Sequence, residues 1–175
     1  MRSRAAATML AGLALSLTAA GCAFFDDYPG ESLGGVMTRY QAGTATVTIG
    51  SERHVLDQVS ASSQLMSDLG ADVYWFSDDG WGLRLSGGMA GAYFPATVSI
   101  DRIRNAYWSA TDYNGQCRVK LDQVDAKAVK GTATCTGLRW TDVLRGDYST
   151  GGYVEGEAPF DATIEFEAAS TVPAT

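Results

Sequence analysis

Residues 117–135 read CRVKLDQVDAKAVKGTATC. Cys117, Val119 and Leu121 share one parity, Arg118, Lys120 and Asp122 the other. A period of two marks a strand with one face in a core and one in water. Folded as a hairpin about Ala126, the segment sets Cys117 opposite Cys135, Val119 opposite Ala133 and Leu121 opposite Gly131. Arg118 and Lys120 then lie opposite Thr134 and Thr132 on the other face. One register therefore matches the cysteines and keeps both faces consistent. Directly opposed residues carry Cβ atoms about 4.5–5.5 Å apart, and a disulfide spans roughly 3.5–4.5 Å. The reading is a Cys117–Cys135 disulfide, set against two buried free thiols. A catalytic dithiol is disfavoured because no Cys-x-x-Cys occurs.

The same alternation extends in both directions. In TATVTIG, Ala45, Val47 and Ile49 oppose Thr44, Thr46 and Thr48. In PATVSIDRI, Ala96, Val98, Ile100 and Arg102 oppose Thr97, Ser99, Asp101 and Ile103. In PFDATIEFEA, Phe160, Ala162, Ile164 and Phe166 oppose Asp161, Thr163, Glu165 and Glu167. Weaker strands are RHVLDQV, ADVYWF, WGLRLS, NAYWSA and VKGTATCT. The one candidate for a short helix is LDQVSASSQLMSDLG, residues 56–70. Asp79-Gly80 and Asn114-Gly115 each fall between strand segments and read as hairpin turns. A strand and a turn roughly every ten residues predict an all-β antiparallel meander that closes as a sandwich or a barrel.

The domain so predicted covers residues 43–168, followed by a tail at 169–175. Residues 23–42, AFFDDYPGESLGGVMTRYQA, show no sustained period and read as a tether, with packing of its later part on the domain as the variant of that reading. Ahead of them, MRSRAAATMLAGLALSLTAAGC has the parts of an export signal: Arg2 and Arg4, an uncharged run from Ala5 to Leu17, and small residues before Cys22. The run reaches only the lower limit of the roughly 17–25 residues that span a bilayer, and its many Ala, Gly, Ser and Thr insert weakly. The reading is a cleaved leader, residues 1–21. A small-small-Cys ending resembles the bacterial lipobox, in which the chain is cut before a lipidated cysteine. Cys22 then becomes the first mature residue and carries the acyl groups. Leu is usual three residues before that cysteine, and this chain has Ala19. The alternative is ordinary secretory cleavage, which leaves Cys22 a free thiol. Lipidation accounts for all three cysteines: one for the anchor and two for the disulfide an exported compartment permits.

Removing 21 of the 175 residues leaves 154, the length of one domain. Two arginines and no acid leave with the leader, so 11 basic side chains face 20 acidic ones, a net charge of −9. Such a chain has no electrostatic footprint for nucleic acid. Its bilayer contact is expected through the lipid and not through a basic face.

Tests for chemistry return little. The single histidine, His54, has Asp57 nearby, but there is no Gly-x-Ser-x-Gly elbow. One histidine cannot assemble a zinc site of Cys and His ligands. Ser77–Gly80 and Thr111–Gly115 are oxygen-rich turns without the twelve-residue calcium loop. Gly87–Gly91 fits no phosphate-binding pattern. Aromatic residues are the feature most open to a functional reading, because exposed rings near strand ends stack on sugars or form protein contacts. Trp75, Trp81, Trp108 and Trp140 are the candidate binding surface. No catalytic residue, metal ligand or cofactor is assigned.

TVTIGSERHVLDQV, CRVKLDQVDAKAVKGTATCTG and PFDATIEFEA follow one another in an order that resembles the strand motifs of the mycobacterial lipoprotein antigen family. The resemblance covers about Thr44 to Ala168, while the cysteine placement and aromatic content differ from that family. It implies a surface-exposed actinobacterial-type lipoprotein without established enzymatic chemistry. The expectation is thus a non-enzymatic interaction module, lipid-anchored at the outer face of a bacterial plasma membrane, that meets an envelope protein, glycan or lipid. The alternatives are an envelope hydrolase with acidic residues in a cleft, and a lipid carrier with an apolar cavity.

Overall fold

The computed structural model describes residues 38–66, 70–88, 95–144, 153–154 and 157–170. The leader, Cys22, the tether to residue 37 and residues 171–175 lie outside the described residues. Among the described residues there are thirteen strands and no helix. They are β1 (Thr38–Arg39), β2 (Ala42–Ile49), β3 (Glu52–Leu56), β4 (Gln58–Val59), β5 (Gln64–Met66), β6 (Gly70–Phe76) and β7 (Trp81–Gly87). There follow β8 (Thr97–Ile103), β9 (Tyr107–Thr111), β10 (Cys117–Val124), β11 (Ala128–Leu138), β12 (Thr141–Asp142) and β13 (Phe160–Ala169).

The strands form two antiparallel sheets packed face to face, a sandwich and not a barrel. The larger runs β1-β5-β6-β7-β8-β9-β12, with β4 also paired to β6. The smaller runs β10-β11-β13-β2-β3. In the larger sheet β5 to β9 follow one another as a meander, of which β6 to β9 are the four longer strands. In the smaller sheet the last strand, β13, inserts between β11 and β2, so the domain's two ends are neighbours.

Each sheet turns one parity inward. Val73 and Trp75 of β6, Leu83 and Leu85 of β7 and Ile100 of β8 meet Val47 of β2, Leu56 of β3 and Ile164 of β13 in a fully buried core. Trp75 ties the sheets together. Its ring packs on Phe166, with centroids 5.6 Å apart, and its indole N–H donates to the Glu167 carbonyl at 2.9 Å.

The hairpin of residues 117–135 keeps the expected register from Cys117↔Cys135 to Leu121↔Gly131, and the disulfide is formed. Beyond Leu121 the pairing shifts to Gln123↔Lys130, so Asp122 is an extra residue in a bulge. The turn therefore centres later than Ala126. Asp125 fixes it: one carboxylate oxygen accepts the N–H groups of Lys127 and Ala128. Those two donors, Ala128 first, hold the Asp125 carboxyl below its ordinary pKa.

Two expectations are corrected. Residues 56–70 form no helix among those described. β4 and β5 pair with β6 instead, and the buried Ser63 hydroxyl accepts the Tyr74 N–H. A Ser-rich segment has little helix preference to set against sheet pairing. Asn114-Gly115 is not a hairpin turn, because β9 belongs to the larger sheet and β10 to the smaller. Only Gly115 of the two has positive φ, and Asp112 accepts the Gln116 N–H as the chain crosses over. Asp79-Gly80 does turn a hairpin, between β6 and β7, with Gly80 at φ 88°. The end of the segment before Gly43 packs on the domain, where β1 pairs with β5. Tyr40 is fully buried, and its hydroxyl donates to the Asp125 carbonyl. Burial, and then the charge of Asp125, push its pKa up to about 12.

Candidate functional site

The outward parity of the four meander strands is polar, and the register lines it up in cross-strand rows. One row is Tyr74–Arg84–Ser99–Thr111. The next is Phe76–Gly82–Asp101–Ser109–Thr141. A third is Asp72–Ser86–Thr97. Gly82 leaves a gap in the second row. The Tyr74 ring fills it, since a Cβ on Gly82 would stand 2.3 Å from the Tyr74 Oη. The hydroxyl end of the ring thus covers Gly82 on β7, and the hydroxyl reaches Asp101 on β8.

Asp101 has the outward parity of a solvent residue yet is only 4 % exposed. The Tyr107 hydroxyl lies 3.4 Å from its Oδ2 and the Ser99 hydroxyl 3.5 Å from its Oδ1. Burial, and then the Asp101 charge, raise the Tyr74 pKa above its ordinary value, so this hydroxyl keeps its proton as a donor. Beside it, Arg84 binds Asp72 through two bonds of 2.9 Å, Nε to Oδ1 and Nη2 to Oδ2. That fork, the strongest of the effects on either group, lowers the Asp72 pKa and raises that of Arg84. Ser99, Ser109 and Thr111 are joined by hydroxyl bonds of 2.9 to 3.3 Å.

These side chains border two open hollows, of about 320 and 240 Å³, that share Arg84, Asp101 and Tyr107. The larger continues past Ser109 and Thr111 to Tyr113 and Thr141. Together they reach the size of small-ligand sites. What they offer is one guanidinium, two carboxylates and many hydroxyls, a surface for hydrogen bonding to a polar ligand.

The tryptophans expected to form a binding surface lie elsewhere. Trp75 is fully buried, beyond the reach of any ligand. Parity decides this, because Trp75 and not Tyr74 or Phe76 takes the inward position. Trp81, Trp108 and Trp140 do come together, at one end of the sandwich. The Arg102 guanidinium sits between two of them, 5.6 Å from the Trp81 ring and 5.5 Å from the Trp108 ring. Trp140 stacks on Phe160 with centroids 4.9 Å apart. Trp81 and Trp140 are 7 % and 5 % exposed, and with His54, Arg102 and Phe160 they border an open hollow of about 430 Å³. Cys117 and Cys135 are joined as expected.

His54 points inward and stacks on Trp81, with centroids 3.8 Å apart and planes 20° from parallel. Its Nε2 is buried without a hydrogen-bond partner, and the nearest carboxylate oxygen, on Glu52, is 3.7 Å away. Burial lowers its pKa below 6.5, and the opposing pull of Glu52 is smaller. The unfolded chain thus takes up a proton more readily than the folded one. Stability is expected to fall as pH drops through about 6.5, and His54→Phe, which keeps the stack, is expected to flatten that slope. Urea unfolding of both proteins across that range checks it; equal slopes would refute the assignment.

Among the described residues no three of His, Cys, Asp and Glu group closely enough to hold a metal ion. No family model matches the chain, and neither a curated protein nor a solved structure matches it. The functional reading therefore rests on the residues themselves. Neither Asp101 nor Arg84 stands out in the sequence. The signal was the outward parity of four neighbouring strands, rich in hydroxyls, but only the register gathers it into one surface.

Proposed function

We propose that this chain is a binding module, held by lipid on Cys22 at the outer face of a bacterial plasma membrane, that takes a polar ligand on the outer face of its larger sheet. The observation that carries the reading is Asp101, a carboxylate almost removed from water yet bordering an open hollow with Arg84 and a bonded set of hydroxyls. Burying a charge is costly unless the site is built around it, and a sheet face that only met solvent has no need of it. The core between the sheets is filled by Trp75, Leu56, Leu83, Leu85 and Ile100, which favours surface recognition over lipid carriage.

One observation favours a hydrolase: Asp72 and Asp101 border the same hollow. Glycoside hydrolysis by two carboxyls needs one that holds its proton as the general acid. The Arg84 fork holds Asp72 ionised, so it is not the acid, and occupies both of its oxygens, which leaves it a poor nucleophile or base; that argues for binding.

The site is tested by titrating the isotope-labelled full chain, in detergent, with soluble envelope polysaccharide. Amide shifts are expected at Tyr74, Arg84, Ser99, Asp101 and Tyr107, and Asp101→Asn is expected to weaken binding about tenfold. Shifts confined to the opposite sheet, around Thr46 and Thr132, or no shifts at all, would overturn the reading. The anchor is tested by intact mass of membrane-extracted protein. A chain beginning at Cys22 with added acyl mass is expected; an unmodified thiol would refute it.

A further inference from the structure

From the shape and charge of this face we infer that its ligand is a neutral, unbranched polyhydroxylated chain, such as an extended glycan, bound along its length across the strands. The inference rests on the proposed function of the same site. Its first support is continuity. The two hollows adjoin along Arg84, Asp101 and Tyr107, which border both, and so mark out one run across the sheet face. The trough runs from Tyr74 on β6, over β7 and β8, to Ser109 on β9 and Thr141 on β12. Neighbouring strands lie about 4.8 Å apart, so four such steps give about 19 Å. That is the length of several sugar residues in an extended chain.

The second support is the order of chemistry along the trough. Tyr74 covers Gly82 at one end, its ring stacked on Phe76 with centroids 6.1 Å apart. Tyr113, 76 % exposed, stands at the other end. Between them lie Asp101, Arg84 and the hydroxyls of Ser86, Ser99, Ser109 and Thr111. An aromatic face suits the C–H side of a sugar ring, and carboxylate, guanidinium and hydroxyl groups suit its O–H groups. Two rings separated by a polar floor match a chain that presents both repeatedly. A single sugar cannot touch both ends.

The third support is charge. Asp72 and Asp101 face one guanidinium, and Arg84 already gives two donors to Asp72. The floor carries no surplus of positive charge to hold phosphate, sulfate or uronate groups. A neutral polyol meets no repulsion there.

The test is calorimetric titration of the full chain in detergent with neutral gluco-oligosaccharides, from monosaccharide to hexasaccharide. Binding is expected to tighten about tenfold between the monosaccharide and the tetrasaccharide and then level off. Tyr113→Ala is expected to cut tetrasaccharide affinity about tenfold and leave the monosaccharide unchanged. It is a loop-tip residue, so folding survives its replacement. If the monosaccharide binds as tightly as the tetrasaccharide, the chain inference fails while the site stands. If a uronate-bearing ladder binds and the neutral one does not, neutrality is overturned. If neither ladder binds, but envelope polysaccharide still shifts these amides and Asp101→Asn weakens that binding, this inference fails and the proposed site survives.

Discussion

Trp75→Ala is expected to destabilise the domain by about 3–5 kcal/mol, the usual cost of emptying a buried aromatic site. Trp75 is fully buried and touches both sheets. Its removal leaves a hollow beside Phe166 and takes the indole donor from the Glu167 carbonyl. Small domains are stable by only about 5–15 kcal/mol, so the variant should unfold at far lower urea or fail to accumulate. Trp75→Phe, which restores bulk but not the donor, should fall between. Urea unfolding followed by far-UV dichroism measures all three. A Trp75→Ala midpoint equal to that of the wild type would show that the sheets do not depend on this ring.

Replacing Cys117 and Cys135 together by Ala is expected to cost about 3 kcal/mol, from the greater freedom of the unfolded chain. The crosslinked residues are 18 apart in sequence, a loop long enough for that effect. The same loss should follow when the wild type is unfolded with a reductant. The double variant should not respond to the reductant at all. This triple comparison separates the crosslink from side-chain packing, because Cys135 is fully buried and its truncation has a small cost of its own. The bond lies between β10, an edge strand, and β11. Its loss should therefore loosen β10 first, seen as faster amide exchange at Arg118 and Lys120 than at Thr163 and Glu165. Uniform exchange across the sheet would contradict that order.

Much of this fold was legible in the chain. In β2, β8, β10, β11 and β13 the alternation named the inward residues correctly, because a strand has only two faces and only one can be dry. The disulfide followed from the same period, since a hairpin with matched faces leaves few registers. Where local chemistry is shared by several structures, the reading failed. Asn-Gly permits a tight turn but does not demand one, and the partner of each flanking strand decided that Asn114-Gly115 crosses between sheets. The segment 56–70 had no strong periodicity, so pairing with β6 determined its form. The aromatic residues were legible as a class but not by place. Trp75 went to the core and Trp81, Trp108 and Trp140 to the sandwich end, leaving Tyr74, Tyr107 and Tyr113 on the candidate trough.

The sequence by itself determined an all-β domain, its inward faces and its crosslink, because these follow from the order of side chains along single strands and one hairpin. Only the tertiary structure decided that the sheets form a sandwich, that β13 inserts between β11 and β2, and that Asp101 lies buried beside Arg84. Those facts depend on which strands become neighbours, and neighbours distant in sequence meet only once the core has brought them together.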